Sequence, residues 1–136
     1  MTTDLRVLHE VGDKNTRLNV LGEPLDECSC DPKTGWFRDG SCATDDNDLG
    51  RHVICCEVTE EFLLFLKSRG NDLITPAPEF GFAGLKPGDH WCVCAASWAQ
   101  AFDAGKVARV DLRATHRSAL ELISLKKLES CSLLDG

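Results

Sequence analysis

The stretch Arg51–Gly70, RHVICCEVTEEFLLFLKSRG, decides the fold because it contains the clearest strand and the clearest helix of the chain. Its first half, Arg51–Val58, predicts a strand with a period of two. Side chains on a strand alternate between its two faces. One face is therefore predicted to carry His52, Ile54, Cys56 and Val58, and the other Val53, Cys55 and Glu57.

The second half of the same stretch predicts an amphipathic helix. Thr59 is a suitable N-cap, and Glu60 and Glu61 follow it in the first turn, where the helix dipole favours acidic residues. Gly70 stands where a helix commonly ends on a left-handed residue. The apolar stripe of this helix consists of Phe62, Phe65 and Leu66.

Outward from this unit the predicted elements are short and the connections are long. They are a strand over Leu18–Leu21, a strand over His90–Ala95, a helix over Trp98–Ala104 capped by Ser97, a strand over Val107–Arg113, a helix over His116–Ile123 capped by Thr115, and an amphipathic segment over Leu125–Leu128. This irregular order favours a two-layer α+β fold, with a small, mostly antiparallel sheet, helices on one face and long irregular loops. The predicted organisation is a loosely ordered tail at 1–17, a single domain at 18–131 and a polar tail at 132–136.

The composition excludes several classes of function. The 136 residues fit a single domain, and 15 basic against 22 acidic residues give a net charge of −7. A negative chain without a basic cluster repels phosphate backbones and anionic lipid surfaces, so we expect no nucleic-acid partner and no membrane partner. Asp4, Arg6 and Glu10 stand where a signal peptide needs an apolar run, so the expected location is cytoplasmic.

The eight cysteines are the most unusual feature of the composition. In a cytoplasmic chain, cysteines are interpreted as free thiols or metal ligands before disulfides. The pairs Cys28/Cys30 and Cys92/Cys94 are separated by one residue, and strand neighbours at that spacing sit too far apart to bridge comfortably. The sequence therefore predicts a cysteine-rich domain with free thiols.

Several motifs resemble one known family. They are Asn19–Gly22 (NVLG), Gly70–Leu73 (GNDL), Gly84–Asp89 (GLKPGD), Trp91–Ala95 (WCVCA) and Ala114–His116 (ATH). Together they resemble the domain of unknown function 2237 family, whose members are short, mainly bacterial proteins, and the resemblance extends over residues 18–131. It implies a two-layer α+β fold and brings no assigned activity with it.

The resemblance also divides the chemically interesting residues into two groups. Matches to the family pattern are Cys28, Cys42, Cys55, Cys92, Cys94, His52, His116, Trp91 and Trp98. Cys30, Cys56 and Cys131 are not family positions. His90 and Ser97 stand where the family usually has arginine, which weakens any anion-binding role of those positions in this chain.

Cysteine-dependent catalysis, as in a transferase or hydrolase, is one hypothesis for function. A nucleophilic cysteine needs a histidine or a helix N-terminus beside it to form a thiolate. Cys55 and Cys42 are the candidate nucleophiles, and His52 and His116 the candidate bases. A free cysteine also packs well as a small apolar residue. The sequence therefore leaves open whether the protein is an enzyme.

A metal site is a third and less favoured hypothesis. Structural zinc commonly uses C-x2–4-C knuckles, whereas this chain has C-x-C pairs. If a metal is present, its ligands are expected to be Cys28, Cys42, Cys92 and Cys94. The acidic run Asp45–Asp48 fails as a calcium loop because Cys56 occupies the twelfth position, so we interpret it as a solvated acidic loop. No cofactor is assigned, and zinc is not the favoured one.

The favoured hypothesis is a ligand-binding or interaction domain with a pocket lined by cysteine and tryptophan. Apolar walls with a few placed polar groups are typical of small-ligand pockets. The candidate binding residues are Trp36, Asn71, Asp72, Asp89, Trp91 and Trp98. The alternative for each is structural, since buried tryptophans bond to loop carbonyls and loop amides cap turns. The expected partner is an unidentified small molecule or protein.

Overall fold

The computed structural model describes residues 17–48 and 51–133. Its strands are β1 (His52–Glu57), β2 (His90–Cys94) and β3 (Arg109–Val110), and its α-helices are α1 (Glu60–Ser68), α2 (Ala95–Asp103) and α3 (Leu125–Glu129). Short 3₁₀-helices cover Pro78–Phe80, Leu112–Ala114 and Arg117–Glu121. Within the described ranges, no helix is long and apolar enough to cross a membrane.

The strand–helix unit predicted from Arg51–Gly70 is present, as β1 followed directly by α1. The Thr59 hydroxyl accepts a hydrogen bond from the backbone N–H of Phe62 at 3.1 Å, which is the expected N-cap. Gly70 has a φ of 92°, so it ends the helix in the left-handed conformation that glycine adopts without strain. Both ends of α1 were therefore encoded locally.

The three strands form one antiparallel sheet in the order β2-β1-β3. Cys55 lies directly opposite Cys92, and Cys56 opposite Trp91. The register shifts between His52 and Ile54, so that His52 lies opposite Cys94 and Ile54 opposite Val93. This irregularity breaks the uniform alternation predicted for the strand, because an extra residue in one strand displaces the residues before it.

The two faces of the β1–β2 pair have different surroundings. One face packs on the helices in the main apolar core, which contains Ile54, Cys56, Trp91, Val93, Phe62, Leu66, Trp98 and Leu128. The other face contributes to a small second cluster of Cys28, Cys42, Cys55, Cys92 and Ala114. The predicted α+β class with a small antiparallel sheet is confirmed, and the cysteine cluster lies across the sheet from the helix layer.

Four predicted element boundaries are wrong. Helix α2 begins at Ala95, with Cys94 instead of Ser97 at the N-cap position. The strand predicted over Val107–Arg113 shrinks to Arg109–Val110. His116, rather than Thr115, caps the following turn, which is a 3₁₀-helix. Leu18–Leu21 forms isolated bridges instead of a strand. In each case tertiary contacts override a weak local pattern, as is common for short elements.

The predicted tails fall mostly outside the described residues. Residues 1–16 and 134–136 are not described, so the loosely ordered N-terminal tail stays a prediction. At the other end, Ser132 pairs with Val110 as an isolated parallel bridge, and its carbonyl accepts a hydrogen bond from Arg109 at 2.9 Å. The first residues of the predicted polar tail are thus packed against β3.

Candidate functional site

A surface pocket of about 380 Å³ opens beside the β2 edge of the sheet. Its aromatic walls are Trp36, Phe80, Phe82 and Trp91, which come from three different parts of the chain. Its polar side chains are Arg38, His52 and Asp72, and Cys92 contributes to the wall. A volume of this size, aromatic walls and a few converging polar groups are typical of small-molecule sites.

Trp91 forms the wall of the pocket from β2. Its ring packs against Phe82, with ring centroids 5.4 Å apart. The guanidinium of Arg38 lies 5.2 Å from the centroid of the same indole, which is a cation–π contact. Arg38 has a φ of 54°, an uncommon conformation for a residue with a side chain. Among the described residues, Arg38 forms no ion pair, so its charge faces the pocket without a carboxylate partner.

His52 is held at the pocket by a fully buried carboxylate. Its Nδ1 lies 2.7 Å from Oδ1 of Asp48, whose side chain is 0% exposed. The second carboxylate oxygen of Asp48 accepts hydrogen bonds from the Thr44 hydroxyl at 2.7 Å and from the backbone N–H of His52 at 2.9 Å. The imidazole stacks on Trp36, with centroids 6.1 Å apart and planes 12° apart. The ring is therefore fixed on two sides while 43% of the side chain stays exposed.

The environment of Asp48 keeps its carboxyl ionised. Burial alone raises the pKa of this group, but the hydrogen bonds from Thr44 and His52 outweigh the burial, and the pKa lies below its usual value. An ionised Asp48 accepts a hydrogen bond from Nδ1–H, and in the neutral imidazole with this tautomer Nε2 is the unprotonated nitrogen. The interpretation of Asp45–Asp48 as a solvated loop is thus wrong for Asp48.

The loop after α1 contributes one of the predicted polar residues to the pocket. Asp72 lines it, and Oδ1 accepts the backbone N–H groups of Ile74 and Thr75 at 2.9 and 3.0 Å. Hydrogen bonds from Thr75 and Ile74 lower the pKa of Asp72 to about 2, so the group is anionic. Asn71 and Asp89 do not line the pocket. The Asp89 carboxylate accepts the N–H of Lys86 and closes a turn.

The prediction of free thiols is wrong for four of the eight cysteines. Disulfides join Cys28 to Cys55 and Cys42 to Cys92. Because Cys55 and Cys92 are cross-strand partners, both disulfides end on one rung of the sheet. The two disulfides attach both ends of the segment Cys28–Cys42, which contains Trp36 and Arg38, covalently to the sheet. Local spacing excluded neighbouring pairs correctly, but the bonds that form span 27 and 50 residues.

The disulfides also change the catalytic and metal hypotheses. Cys42 and Cys55 are oxidised, and a disulfide sulfur is not a thiolate nucleophile. The sulfur atoms of Cys28, Cys42 and Cys55 lie within 4.8 Å of one another, whereas Cys94 lies outside this group. Two of the four predicted ligands, Cys42 and Cys92, are joined to each other in a disulfide, and metal binding stays a prediction. Disulfides persist chiefly in oxidising compartments, so they do not support the cytoplasmic location, which stays a prediction.

Two other candidate residues have structural positions away from the pocket. His116 is fully buried, and its Nδ1 accepts the backbone N–H of Ser118 at 3.0 Å as the cap of a 3₁₀-helix. Trp98 is fully buried in the core, and its Nε1–H donates to the carbonyl of Ala108 at 2.9 Å. Trp36, Asp72 and Trp91 are the predicted binding residues that the structure brings together.

Three features of the pocket were missed in the sequence. Arg38 and Phe82 lie on irregular loops and Phe80 ends a three-residue 3₁₀-helix, so no periodicity marks these residues. Phe80 is 75% exposed, which is unusual for so large an apolar side chain. Asp48 carried a usable signal, because it precedes His52 by four residues at the start of a predicted strand.

Four cysteines are free in the structure, and only one of them is near His52. Cys56 and Cys131 are buried, Cys30 is exposed, and Cys94 is half-buried at the end of β2. Burial raises the pKa of the Cys56 thiol far above its usual value. A hydrogen bond with Glu27 is the largest cause that raises the pKa of Cys30.

Comparison with known proteins gives a family and nothing narrower. No curated protein matches the chain. The model of the domain of unknown function 2237 family, described as uncharacterized protein conserved in bacteria, matches residues 18–132. This range covers β1–β3, both disulfides and the whole pocket. The chain is therefore a member of the domain of unknown function 2237 family.

Proposed function

We propose that this protein is a small-molecule-binding domain whose ligand contains a planar ring and an acidic group. The observation that carries the proposal is the convergence of four aromatic side chains around one pocket of about 380 Å³. Two of them, Trp36 and Phe80, remain 39% and 75% exposed. Exposed aromatic surface is costly in water, and a flat apolar ligand that covers it recovers the hydrophobic free energy.

The polar groups define how such a ligand would be oriented. Arg38 supplies a guanidinium without an ion-pair partner among the described residues, and guanidinium groups suit carboxylates because they donate two parallel hydrogen bonds. Asp72 is anionic and repels an acidic group from its side of the pocket. The free Nε2 of His52 is suited to accept a hydrogen bond from the ligand.

The segment that carries this wall is held in place before any ligand arrives. Both of its ends are fixed by disulfides, and the Thr34 hydroxyl accepts the backbone N–H of Cys92 at 2.9 Å. A β-carbon at Gly35 would overlap the carbonyl oxygen of Ser41, so this turn requires glycine. A preformed wall lowers the entropic cost of binding, which supports a binding role.

Titration with 1-naphthoate, a planar bicyclic acid, tests the proposal. Nuclear magnetic resonance resolves the three indole N–H signals separately. We expect saturable shifts for Trp36 and Trp91, and none for Trp98, whose N–H is engaged inside the core. Arg38→Gln is expected to weaken binding about tenfold, because one hydrogen bond to a charged group contributes about 1.5 kcal/mol.

The matched control is Arg69→Gln. Arg69 also lies over an aromatic ring, that of Phe65 at 5.7 Å, but it is remote from the pocket. This variant should bind 1-naphthoate as the wild type does. The uncharged analogue 1-naphthalenemethanol should bind more weakly than 1-naphthoate and be insensitive to Arg38→Gln. Absence of saturable shifts, or equal shifts of all three indoles, would contradict the proposal.

A further inference from the structure

Cys94, a free thiol, faces His52 across the β1–β2 pair. The two residues are direct partners in the antiparallel register, so their side chains lie on the same side of the sheet. This pair lies beside the register shift of β1, and Cys92, which shares a face of β2 with Cys94, lines the pocket together with His52. Catalytic hydrogen bonds are commonly long before substrate binds.

We propose that Cys94, His52 and Asp48 form a nucleophile, a general base and a positioning carboxylate for acyl transfer from an ester or thioester. Cys94 and His52 are the catalytic residues, and Asp48 is a positioning residue that acts through His52. Only the binding of the acyl substrate rests on the proposed pocket. The reactivity of the thiol does not depend on it.

His52 has the features of a general base. The buried Asp48 holds Nδ1 at 2.7 Å, so the other nitrogen, Nε2, is free to take a proton. Asp48 itself is fixed by Thr44 and by the backbone N–H of His52, and the ring is stacked on Trp36. This order, in which one group orients the base and the base faces a nucleophile, is shared by hydrolytic triads on unrelated folds.

Cys94 differs from the other free thiols of the described chain. It occupies the N-cap position of α2 without a side-chain capping bond, so its sulfur is not engaged by the helix. Cys56 and Cys131 are buried, while Cys30 is exposed but has Glu27 as its hydrogen-bond partner.

The reaction balances without a further co-reactant except water. Nε2 of His52 accepts the Cys94 S–H proton, and the sulfur forms a bond to the carbonyl carbon of the substrate. The C–O or C–S bond to the leaving group then breaks, and the imidazolium returns the proton to that group. Water next attacks the acyl-cysteine while Nε2 of His52 takes its proton. The C–S bond then breaks, the acid departs, and the imidazolium returns the proton to sulfur, which restores the Cys94 thiol.

The charge of Arg51, the residue before His52, is already paired. Arg51 precedes His52, and its carbonyl accepts the backbone N–H of Ala95, the residue after Cys94. The side chain of Arg51 forms an ion pair with Glu121.

Site-resolved alkylation tests the proposal on the whole chain with its disulfides intact. The protein is treated with limiting iodoacetamide at several pH values, and peptide mass spectrometry gives a rate for each free cysteine. At pH 7 we expect Cys94 to react at least about tenfold faster than Cys30, as activated thiols do. His52→Phe and Asp48→Asn should lower the Cys94 rate toward that of Cys30.

The matched controls are His90→Phe, which removes a histidine from the other end of β2, and Asp45→Asn, which removes an acid from the same loop as Asp48. Neither should change the Cys94 rate. The comparison of Cys94 with Cys30 in the wild type needs no substitution, so it stands even if a variant fails to fold. A Cys94 rate no higher than that of Cys30, or one unchanged by His52→Phe, would overturn the proposal.

Reaction with p-nitrophenyl acetate tests the acyl-transfer step. We expect release of one equivalent of p-nitrophenolate per chain in a burst, an acetyl group on Cys94 by mass spectrometry, and loss of both in Cys94→Ser. This small ester does not need the aromatic walls. Binding of 1-naphthoate without any burst would contradict acyl transfer by Cys94 and leave the proposed binding function standing. A burst without 1-naphthoate binding would contradict the binding function and leave acyl transfer standing.

Discussion

The two faces of the β1–β2 pair are held in different ways. The helix-side face is closed by apolar contacts, with Ile54 and Cys56 packed among residues of α1 and α2. The opposite face is closed by two disulfides on one rung and by the Asp48–His52 pair. The first kind of contact is non-directional and tolerant, whereas the second depends on a few defined bonds.

This difference assigns stability mainly to one face and pocket geometry mainly to the other, with Trp91 shared, because it packs in the core and lines the pocket. The apolar face, which packs on α1 and α2, stabilises the sheet. The bonded face, which carries the two disulfides and the Asp48–His52 pair, holds the segment with Trp36 and Arg38 at the pocket. Losing an apolar contact should therefore weaken the whole fold. Losing a bond on the other face should also change the pocket. The predictions below test this separation.

The largest effect is expected on the apolar face. Phe62→Ala removes a fully buried ring from α1, and we expect a loss of about 3–5 kcal/mol in the free energy of unfolding, from lost burial and the resulting cavity. The measurement is urea unfolding followed by far-ultraviolet circular dichroism.

Phe80→Ala is the matched control, because this ring is 75% exposed and lines the pocket. It should change the free energy of unfolding by less than about 0.5 kcal/mol, as surface substitutions do, and weaken 1-naphthoate binding. If Phe80→Ala destabilised the protein as much as Phe62→Ala, stability and binding would not be divided between the two faces.

A somewhat smaller effect is expected from breaking the disulfides. The loop-closure model gives upper values of about 4 kcal/mol for Cys42–Cys92 and about 3.5 kcal/mol for Cys28–Cys55, since they close loops of 50 and 27 residues. The double variants Cys42→Ala/Cys92→Ala and Cys28→Ala/Cys55→Ala are compared by urea unfolding and by 1-naphthoate titration.

Either double variant should lose binding as well as stability, because each releases one end of the segment that carries Trp36 and Arg38. Cys30→Ala, which removes an exposed free cysteine, is the control and should leave both quantities unchanged. Unaltered naphthoate affinity in both double variants would show that the segment does not need its covalent anchors.

The same division explains what could be predicted from sequence. The strand–helix unit over Arg51–Gly70 was predictable because Thr59, the apolar stripe and Gly70 act within a few residues of one another. The α+β class followed from the mixture of such local units. The bulge before Ile54 was not predictable, since it depends on the register with β2.

Most features of the bonded face could not be predicted from local sequence patterns. The partners Cys28 and Cys55, and Cys42 and Cys92, are joined by the path of a long irregular loop, and no periodicity specifies that path. Trp36, Trp91 and Trp98 were all predicted as pocket residues. Trp36 and Trp91 line the pocket, whereas Trp98 lies in the core. Asp48 was assigned to solvent, although the structure buries it beneath His52.

The smallest effects, and the most selective, are expected from pH. The pKa of Asp48 is lowered in the fold, so its contribution is present above its ordinary value of 3.8 and is lost as pH falls below it. The pKa of Cys56 is raised, so its contribution is present below its ordinary value of 9.0 and is lost as pH rises. Acid should thus weaken the bonded face, and alkali the apolar face.

Urea unfolding from pH 3 to pH 10 measures two changes in the free energy of unfolding in one protein. The loss at low pH is the acid arm, and the loss at high pH is the alkaline arm. Asp48→Asn should reduce the acid arm, where charged hydrogen bonds contribute about 1.5–3 kcal/mol, and leave the alkaline arm unchanged; the part that remains belongs to groups such as Asp72, whose pKa is also lowered. Cys56→Ala should reduce the alkaline arm, whose slope approaches about 1.4 kcal/mol per pH unit for one thiol, and leave the acid arm unchanged; Cys30, whose pKa is also raised, retains its part. Asp45→Asn is the control for the acid arm. If one substitution flattened both arms, the two faces would be coupled rather than independent.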